Sequence, residues 1–327
     1  MKYSIITPVY NREDCIERCI RSVDNQSPQG DEANGFAIEH IVVNDGSRDN
    51  TGTLCEKWAR ESARLHYIDF PENRGTNAAR NAAVRAASGD YIIILDSDDY
   101  FVGDALRFVD ATIRSNPGYR YYMFAPDDID YSSMRLEAGT TKELTYLDFL
   151  SGRIGGDFIH CIDAEIMKRY PFDERVRIHE GAFFLSFYKE AGKMLFTNRI
   201  VTIRERGRAD SVTRETIRTR RILIERRMKA QELMLERFGD DMAAYRCSGQ
   251  LAQLYVELIE NYLLLGRYRQ MDDLTRTYRT RWGMEPPRTR KVRCCKILGR
   301  MRLGFFYRMA LYVYLHVKYK WLRRNVK

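Results

Sequence analysis

The chain has 327 residues, with 54 Lys and Arg against 45 Asp and Glu, a formal net charge of +9, and 44% hydrophobic residues. That apolar content can bury a sizeable core, which excludes wholesale disorder and leaves one large domain with an extension, or two domains. Residues 286–327 hold 13 basic and no acidic residues, so residues 1–285 carry 41 basic against 45 acidic. A nucleic-acid-binding fold spreads basic residues over its body, and this chain does not.

Residues 3–9 form a short β-branched run that includes Pro8. Residues 13–23 predict a helix, because Cys15, Ile16, Cys19, Ile20 and Val23 fall at helical spacing. Residues 38–44 predict a second strand, followed by the turn Asp45-Gly46-Ser47. Residues 53–63 predict a helix, and 65–70 a third strand stopped by Pro71. The Ala-rich run 78–87 predicts a helix closed by Gly89, and Tyr91-Ile92-Ile93-Ile94-Leu95 an apolar strand running into Asp96-Ser97-Asp98-Asp99. This βαβαβαβ alternation predicts an α/β fold with a mostly parallel sheet flanked by helices, whose ligands bind beyond the carboxyl ends of the strands.

Later segments are less regular. Helices are expected over 105–114 and 182–189, strands over 119–124 and 196–204, and a turn with a short helix over 140–150. Three long charged helices are expected over 213–237, 243–265 and 268–282, then a hinge at Pro286-Pro287. Seven scattered cysteines without a CxxC pair fit neither a disulfide framework nor a zinc site, and point to a reducing cytosol. The N-terminal apolar run is too short for a signal peptide, and no stretch reaches the roughly 18 apolar residues of a membrane span.

Three polar clusters stand at three strand ends, and their common edge makes them one site: Thr7, Tyr10 and Asn11; Asn44 and Asp45; Asp96, Asp98 and Asp99. Three carboxylates in four residues call for a counter-charge, and Mg²⁺ or Mn²⁺ prefers such oxygen ligands. A solvated acidic turn is the plainer alternative. Asp45 can accept a hydrogen bond from a base N–H, although Asp-Gly-Ser also favours a turn unaided. Gly75 before the Ala-rich helix leaves backbone N–H groups free, and Arg80 one turn in can reach an anion.

Together, Ser4-Ile5-Ile6-Thr7-Pro8-Val9-Tyr10-Asn11, Val43-Asn44-Asp45-Gly46-Ser47-Arg48-Asp49-Asn50-Thr51, Asn73-Arg74-Gly75 with Ala79-Arg80-Asn81, and Leu95-Asp96-Ser97-Asp98-Asp99 closely resemble the family 2 glycosyltransferases of GT-A fold. The resemblance is specific over about residues 1–110, looser over 111–213 and absent beyond. It implies inverting transfer of a hexosyl or N-acetylhexosaminyl group from a nucleotide-diphospho-sugar, UDP-linked in most members, to an acceptor hydroxyl in surface polysaccharide or glycolipid synthesis. By the same resemblance, Thr7, Pro8, Tyr10 and Asn11 shape the nucleotide pocket, and Asp45 reads the uracil N3–H. Gly75 and Arg80 lie near the phosphates, Asp96 faces the ribose or the metal shell, and Asp98 ligates Mn²⁺ or Mg²⁺. The family's base is the Asp of a Glu-Asp pair opening a helix after a Phe-Asp-Glu. Here Phe172-Asp173-Glu174 is present, but the pair reads Glu180-Gly181. Glu180 is therefore the expected base, with His179 and Asp157 as rivals. The stretch 204–208 before Asp210-Ser211-Val212-Thr213 resembles the segment that closes the family's site.

These readings divide the chain into a glycosyltransferase domain (1–212, with a nucleotide-binding half 1–100 and an acceptor-binding half 101–212), a helical extension (213–285) and a basic amphipathic tail (286–327). The tail's basic blocks flank an aromatic-rich stretch, residues 304–317. That composition suits a helix lying on an anionic membrane, and would place the protein in the cytoplasm, peripheral to the inner face of the plasma membrane. Docking of that helix on the rest of the protein is the alternative. The expected partners are a nucleotide-sugar donor and a glycan or lipid-linked acceptor, not nucleic acid. Two rival functions are a nucleotidyltransferase, which would show a Gly-rich basic loop after its first strand, and a non-catalytic nucleotide-sugar-binding scaffold.

Overall fold

The computed structural model describes residues 1–26, 35–132, 136–176, 181–205 and 220–325. The chain forms two compact units, Met1–Arg208 and Ala209–Lys327.

In the first unit, β1 (Lys2–Val9), α1 (Ile16–Asp24), β2 (Ala37–Asn44), α2 (Thr51–Glu61), β3 (Leu65–Asp69), α3 (Thr76–Ala86) and β4 (Tyr91–Ile94) follow the expected alternation. Then come β5 (Tyr100–Phe101), α4 (Ala105–Ser115), β6 (Tyr121–Pro126), β7 (Thr141–Thr145), α5 (Tyr146–Leu150), β8 (Ile159–Asp163), α6 (Ala164–Arg169), α7 (Gly181–Ala191) and β9 (Lys193–Ile203). Among the described residues, nine strands form one sheet of order β3-β2-β1-β4-β8-β6-β9-β5, with β7 beside β9. The strands β3, β2, β1 and β4 are mutually parallel, and the sheet turns mixed where β8 pairs antiparallel with β4 and β6.

Both faces of the sheet are covered, which is why β1 and β2 are buried residue after residue rather than at alternate positions, their polar Ser4, Thr7, Glu39 and His40 hydrogen-bonded inside. Ile5, Val42, Ile93 and Cys161 pack toward α1, α2 and α4 in the main core cluster, while the alternate residues Ile6, Ile41, Ile92 and Ile162 are equally buried. Helix α1 presents Ile16, Cys19, Ile20 and Val23 at helical spacing; Glu13 to Cys15, expected to open it, form a turn instead. Strand β8 and helix α6 escaped the sequence reading, because the five residues Ile-His-Cys-Ile-Asp carry no period longer than one turn.

In the second unit, α8 (Arg221–Ala244), α9 (Ser248–Leu265), α10 (Tyr268–Thr280), α11 (Arg290–Arg300) and α12 (Gly304–Asn325) follow one another. Ile224, Met228, Gln231, Leu235 and Phe238 of α8 are buried at helical spacing. The expected start of the next helix at 243 moves to Ser248, because Arg246 takes a left-handed conformation (φ 57°) that breaks the helix. The expected helix over 213–237 is described only from Arg221. Pro286 and Pro287 lie in the irregular segment before α11. The tail begins docked: Lys291 pairs with Glu260 at 2.6 Å, and Val292 and Cys295 are buried. Among the described residues, no helix is long and apolar enough to cross a membrane.

Candidate active site

The carboxyl ends of β1, β2 and β4 meet at one edge. The turn after β2 is tied to β1 by paired bonds: Asn11 N–H donates to Ser47 Oγ at 2.9 Å, and Arg48 N–H to Asn11 Oδ1 at 2.9 Å. Asn11 itself is left-handed (φ 50°), as a turn Asn tolerates. Tyr10 is exposed at this edge. Thr7 and Pro8 lie inside the fold. The Thr7 hydroxyl bonds His40 Nε2 at 2.9 Å, so Thr7 builds the wall from behind.

Asp45 is 3% exposed. The backbone N–H of Arg74 donates to its Oδ1 at 2.6 Å, and that of Gly75 to its Oδ2 at 2.8 Å. The carboxylate thus clamps the loop that opens α3. Gly46 serves the same closure. It is left-handed (φ 66°), and a Cβ there would come within 2.7 Å of Asn73 N.

Helix α3 is buried from Asn77 to Val84, which explains its alanines. Its three buried polar residues are spent on tertiary contacts. Arg80 reaches Asp96 Oδ1 at 3.2 Å and lies over the Phe172 ring at 5.7 Å. Asn81 exchanges two 2.8 Å bonds with the Phe172 backbone, and Asn77 donates to the carbonyls of Val176 (2.5 Å) and Asp173 (3.1 Å). The Phe-Asp-Glu segment is thereby fixed to α3.

After β4, each acid of the Asp96–Asp99 turn is met by an arginine from a different element. Arg80 meets Asp96, Arg12 Nη2 lies 3.7 Å from Asp98 Oδ2, and Arg204 Nε lies 3.7 Å from Asp99 Oδ2. The counter-charge that the sequence demanded is therefore partly built into the protein. Asp99 is buried; desolvation first, then repulsion from Asp96 and Asp98, push its carboxyl up to about 8 against the opposing pull of Arg204. The turn is also held by Cys15, just before α1, and Cys19 within it, whose thiols donate to the Ser97 and Asp96 carbonyls at 3.6 and 3.7 Å.

The sequence reading named Arg204, in the stretch 204–208, and Asp157, as a rival base, but missed Arg12, Asp127 and Asp128. Arg204, at the end of β9, also contacts Asp128 (3.6 Å) and Asp157 (3.0 Å), and its backbone N–H donates to Asp127 at 2.9 Å. Burial works against its charge, yet Asp157, Asp128 and Asp99 hold its pKa above the usual arginine value. Asp127-Asp128 directly after a strand was the available signal; Arg12 and the Cys15/Cys19 supports carried none beyond their place beside the motifs. Glu180, His179 and the stretch 206–213 lie outside the described residues.

No three His, Cys, Asp or Glu side chains among the described residues converge as a metal cage. The acids present nevertheless fit a hard cation that arrives with its own phosphate ligands. Asp96 and Asp98 keep 53% and 28% of their side-chain surfaces open and offer only oxygen donors.

Comparison with known proteins decides the family. A model of the family described as glycosyl transferase family 2 matches residues 4–118. An uncharacterized glycosyltransferase of Haemophilus influenzae is 31% identical over 188 residues, which is 57% of this chain and 72% of the relative. The chain belongs to glycosyltransferase family 2. A second relative, the GalNAc(5)-diNAcBac-PP-undecaprenol beta-1,3-glucosyltransferase of Campylobacter jejuni, is 27% identical over 65% of this chain and 67% of the relative. The crystal structure of S. aureus TarS 1-349 in complex with UDP-GlcNAc covers 95% of the family 2 chain and 92% of its own, with a TM-score of 0.59 and 17% identity. At that identity the likeness speaks for the GT-A fold alone, with helices added at the C-terminus.

Proposed function

We propose that this glycosyltransferase inverts the anomeric centre as it moves a sugar from a UDP-linked donor to a hydroxyl of a lipid-linked or growing surface glycan. The observation that carries this reading is the convergence of Asp45, Asp96, Asp98 and Arg80 at one edge of the parallel strands, where such sheets bind their ligands. The C. jejuni relative is named for an undecaprenol-linked acceptor and the fold neighbour was crystallised with UDP-GlcNAc, which supports both halves of the proposal.

In this reading the uracil N3–H donates to Asp45, whose carboxylate the Arg74 and Gly75 amides hold in place. Tyr10 and Asn11 border the nucleotide, and Gly75 and Arg80 lie beside the phosphates. Asp98, with Asp96 beside it, would hold Mn²⁺ or Mg²⁺, which supplies Lewis-acid stabilisation of a departing diphosphate. Inversion in one step needs a base on the opposite face of the sugar to take the acceptor's proton. We assign that proton to Glu180, the surviving carboxylate of the pair in which Gly181 replaces Asp. We read residues 1–212 as a catalytic domain and 213–285 as a helical extension continuing into the basic tail; the division between the two compact units after Arg208 supports a boundary in this region. That tail addresses the protein to an anionic cytoplasmic membrane face, where a lipid-linked acceptor is presented.

Thermal-shift screening of UDP-, GDP- and dTDP-sugars with Mn²⁺ tests the donor, since a bound ligand raises stability by mass action. A shift confined to UDP-sugars is expected. No shift with any nucleotide sugar would overturn the reading. UDP binding without transfer to any acceptor would favour a non-catalytic binder, the outcome Gly181 makes specific.

A further inference from the structure

We propose that α12 lies lengthwise in the interface of an anionic bilayer, with Phe305, Phe306, Met309, Val313 and Val317 sunk among the acyl chains. The inference deepens the membrane reading of the tail and rests on it, adding insertion to electrostatic attraction.

One side of α12 is already used. Gly304 lies so close to Leu263 that a Cβ would collide with its carbonyl oxygen, and the Tyr307 hydroxyl donates to Glu260 at 3.0 Å. Leu311 and Leu315, one and two turns on, are half-buried along the same line. At 100° per residue the five proposed residues fall on the far side of the helix, and all are exposed, Phe306 by 66% and Val317 by 61%. A helix in water turns its charged residues outward. Here the only Lys, Arg, Asp or Glu in 303–317 is Arg308, half-buried and lying over the Phe305 ring at 5.7 Å. Several turns of contiguous exposed apolar surface mark an interaction face.

Charge decides the occupant. The outward face of α11 exposes Ile297 and Met301 beside Arg290, Arg293 and Arg300, and residues 286–327 contain no acid. Two copies of this face would oppose positive charge with positive charge. An anionic bilayer instead offers phosphate at headgroup level and hydrocarbon about 5–10 Å below, the two chemistries that this face presents.

The test uses the full chain and sucrose-loaded vesicles of phosphatidylcholine, with or without one-third phosphatidylglycerol. Sedimentation is measured at low salt and at about 1 M salt, where charges are screened beyond about 3 Å. Binding to anionic vesicles should weaken at high salt but persist. Phe306→Ser with Val313→Ser should lose about ten-fold or more at both salt levels, and circular dichroism should show these exposed changes leaving the fold intact. Cys294 is the exposed cysteine among the seven. With Cys294→Ser in place, a fluorophore on Met309→Cys should shift to the blue on vesicle addition. Binding that salt abolishes and Phe306→Ser spares would overturn insertion and leave electrostatic attachment standing; no binding to anionic vesicles would overturn both. A wild-type dimer that Phe306→Ser dissociates, with vesicle binding unchanged, would assign the face to a second copy and refute the proposal.

Discussion

Replacing Asp45 by Asn separates the clamp from the ligand role. The wild-type carboxylate accepts one backbone amide on each oxygen, the part-buried Arg74 N–H at 2.6 Å and the buried Gly75 N–H at 2.8 Å. An Asn side chain has one acceptor oxygen, so its NH₂ must face either the Arg74 or the Gly75 N–H, donor against donor. One charge-assisted bond is lost and one N–H is left facing a donor, which together destabilise the fold by about 2–4 kcal/mol. In a unit of roughly 200 residues each kcal/mol moves Tm by about 2–4 °C, so Asp45→Asn should lower Tm by about 5–15 °C. Thermal unfolding followed by circular dichroism reads this directly. A variant melting within about 1 °C of wild type would refute the clamp. UDP affinity, measured well below the transition, then addresses the second role. A loss of about ten-fold or more with the fold intact supports base reading by Asp45, whereas unchanged affinity confines it to the clamp.

Asp98→Ala should abolish the Mn²⁺-dependent gain in UDP affinity in calorimetric titrations with and without chelator; an undiminished gain would move the metal elsewhere. Glu180→Gln should leave donor binding intact and slow transfer about 100-fold or more, and full activity would assign the base to another residue. His40 is buried with its Nε2 on the Thr7 hydroxyl, and that burial pushes its pKa down to about 3. The unfolded chain takes up a proton that the fold refuses. Stability is therefore held above about pH 6.5 and lost as pH falls toward 3, by up to about 1.4 kcal/mol per pH unit. His160 is likewise buried and depressed to about 3, so His40→Gln should reduce by about half, rather than abolish, the dependence of unfolding free energy on pH between 6.5 and 5, before most carboxylates titrate; an unchanged slope would show that His40 is protonated in the fold.

The parallel half of the fold was legible because each element there repeats a simple pattern. The strands β1, β2 and β4 are buried on both faces and read as apolar runs, while α1 places four buried residues at helical spacing. The second half was less legible because its short strands take partners far away in the chain. Ile159 to Asp163 become β8 only by lying between β4 and β6. The acids of the site were readable, since Asp45 and Asp96 to Asp99 stand at strand ends. Their counter-charges were not. Arg12, Arg80 and Arg204 come from three separate stretches, and nothing in their spacing announces that each meets a different aspartate.

The sequence by itself determined the order of elements, the edge where the site forms, and the oxygen chemistry of that edge, because local periodicity and strand-end acids are properties of neighbours in the chain. It also located the basic charge in the last 42 residues. Only the tertiary structure decided that Asp45 holds a loop, that α3 spends its two asparagines on the Phe-Asp-Glu segment, and that three arginines already share the acids' charge. It likewise decided which side of α12 is covered, turning a tail whose basic residues fall on several sides into a docked face and a bare apolar one. Burial and pairing are relations between residues far apart in sequence, and they exist only once the chain has folded.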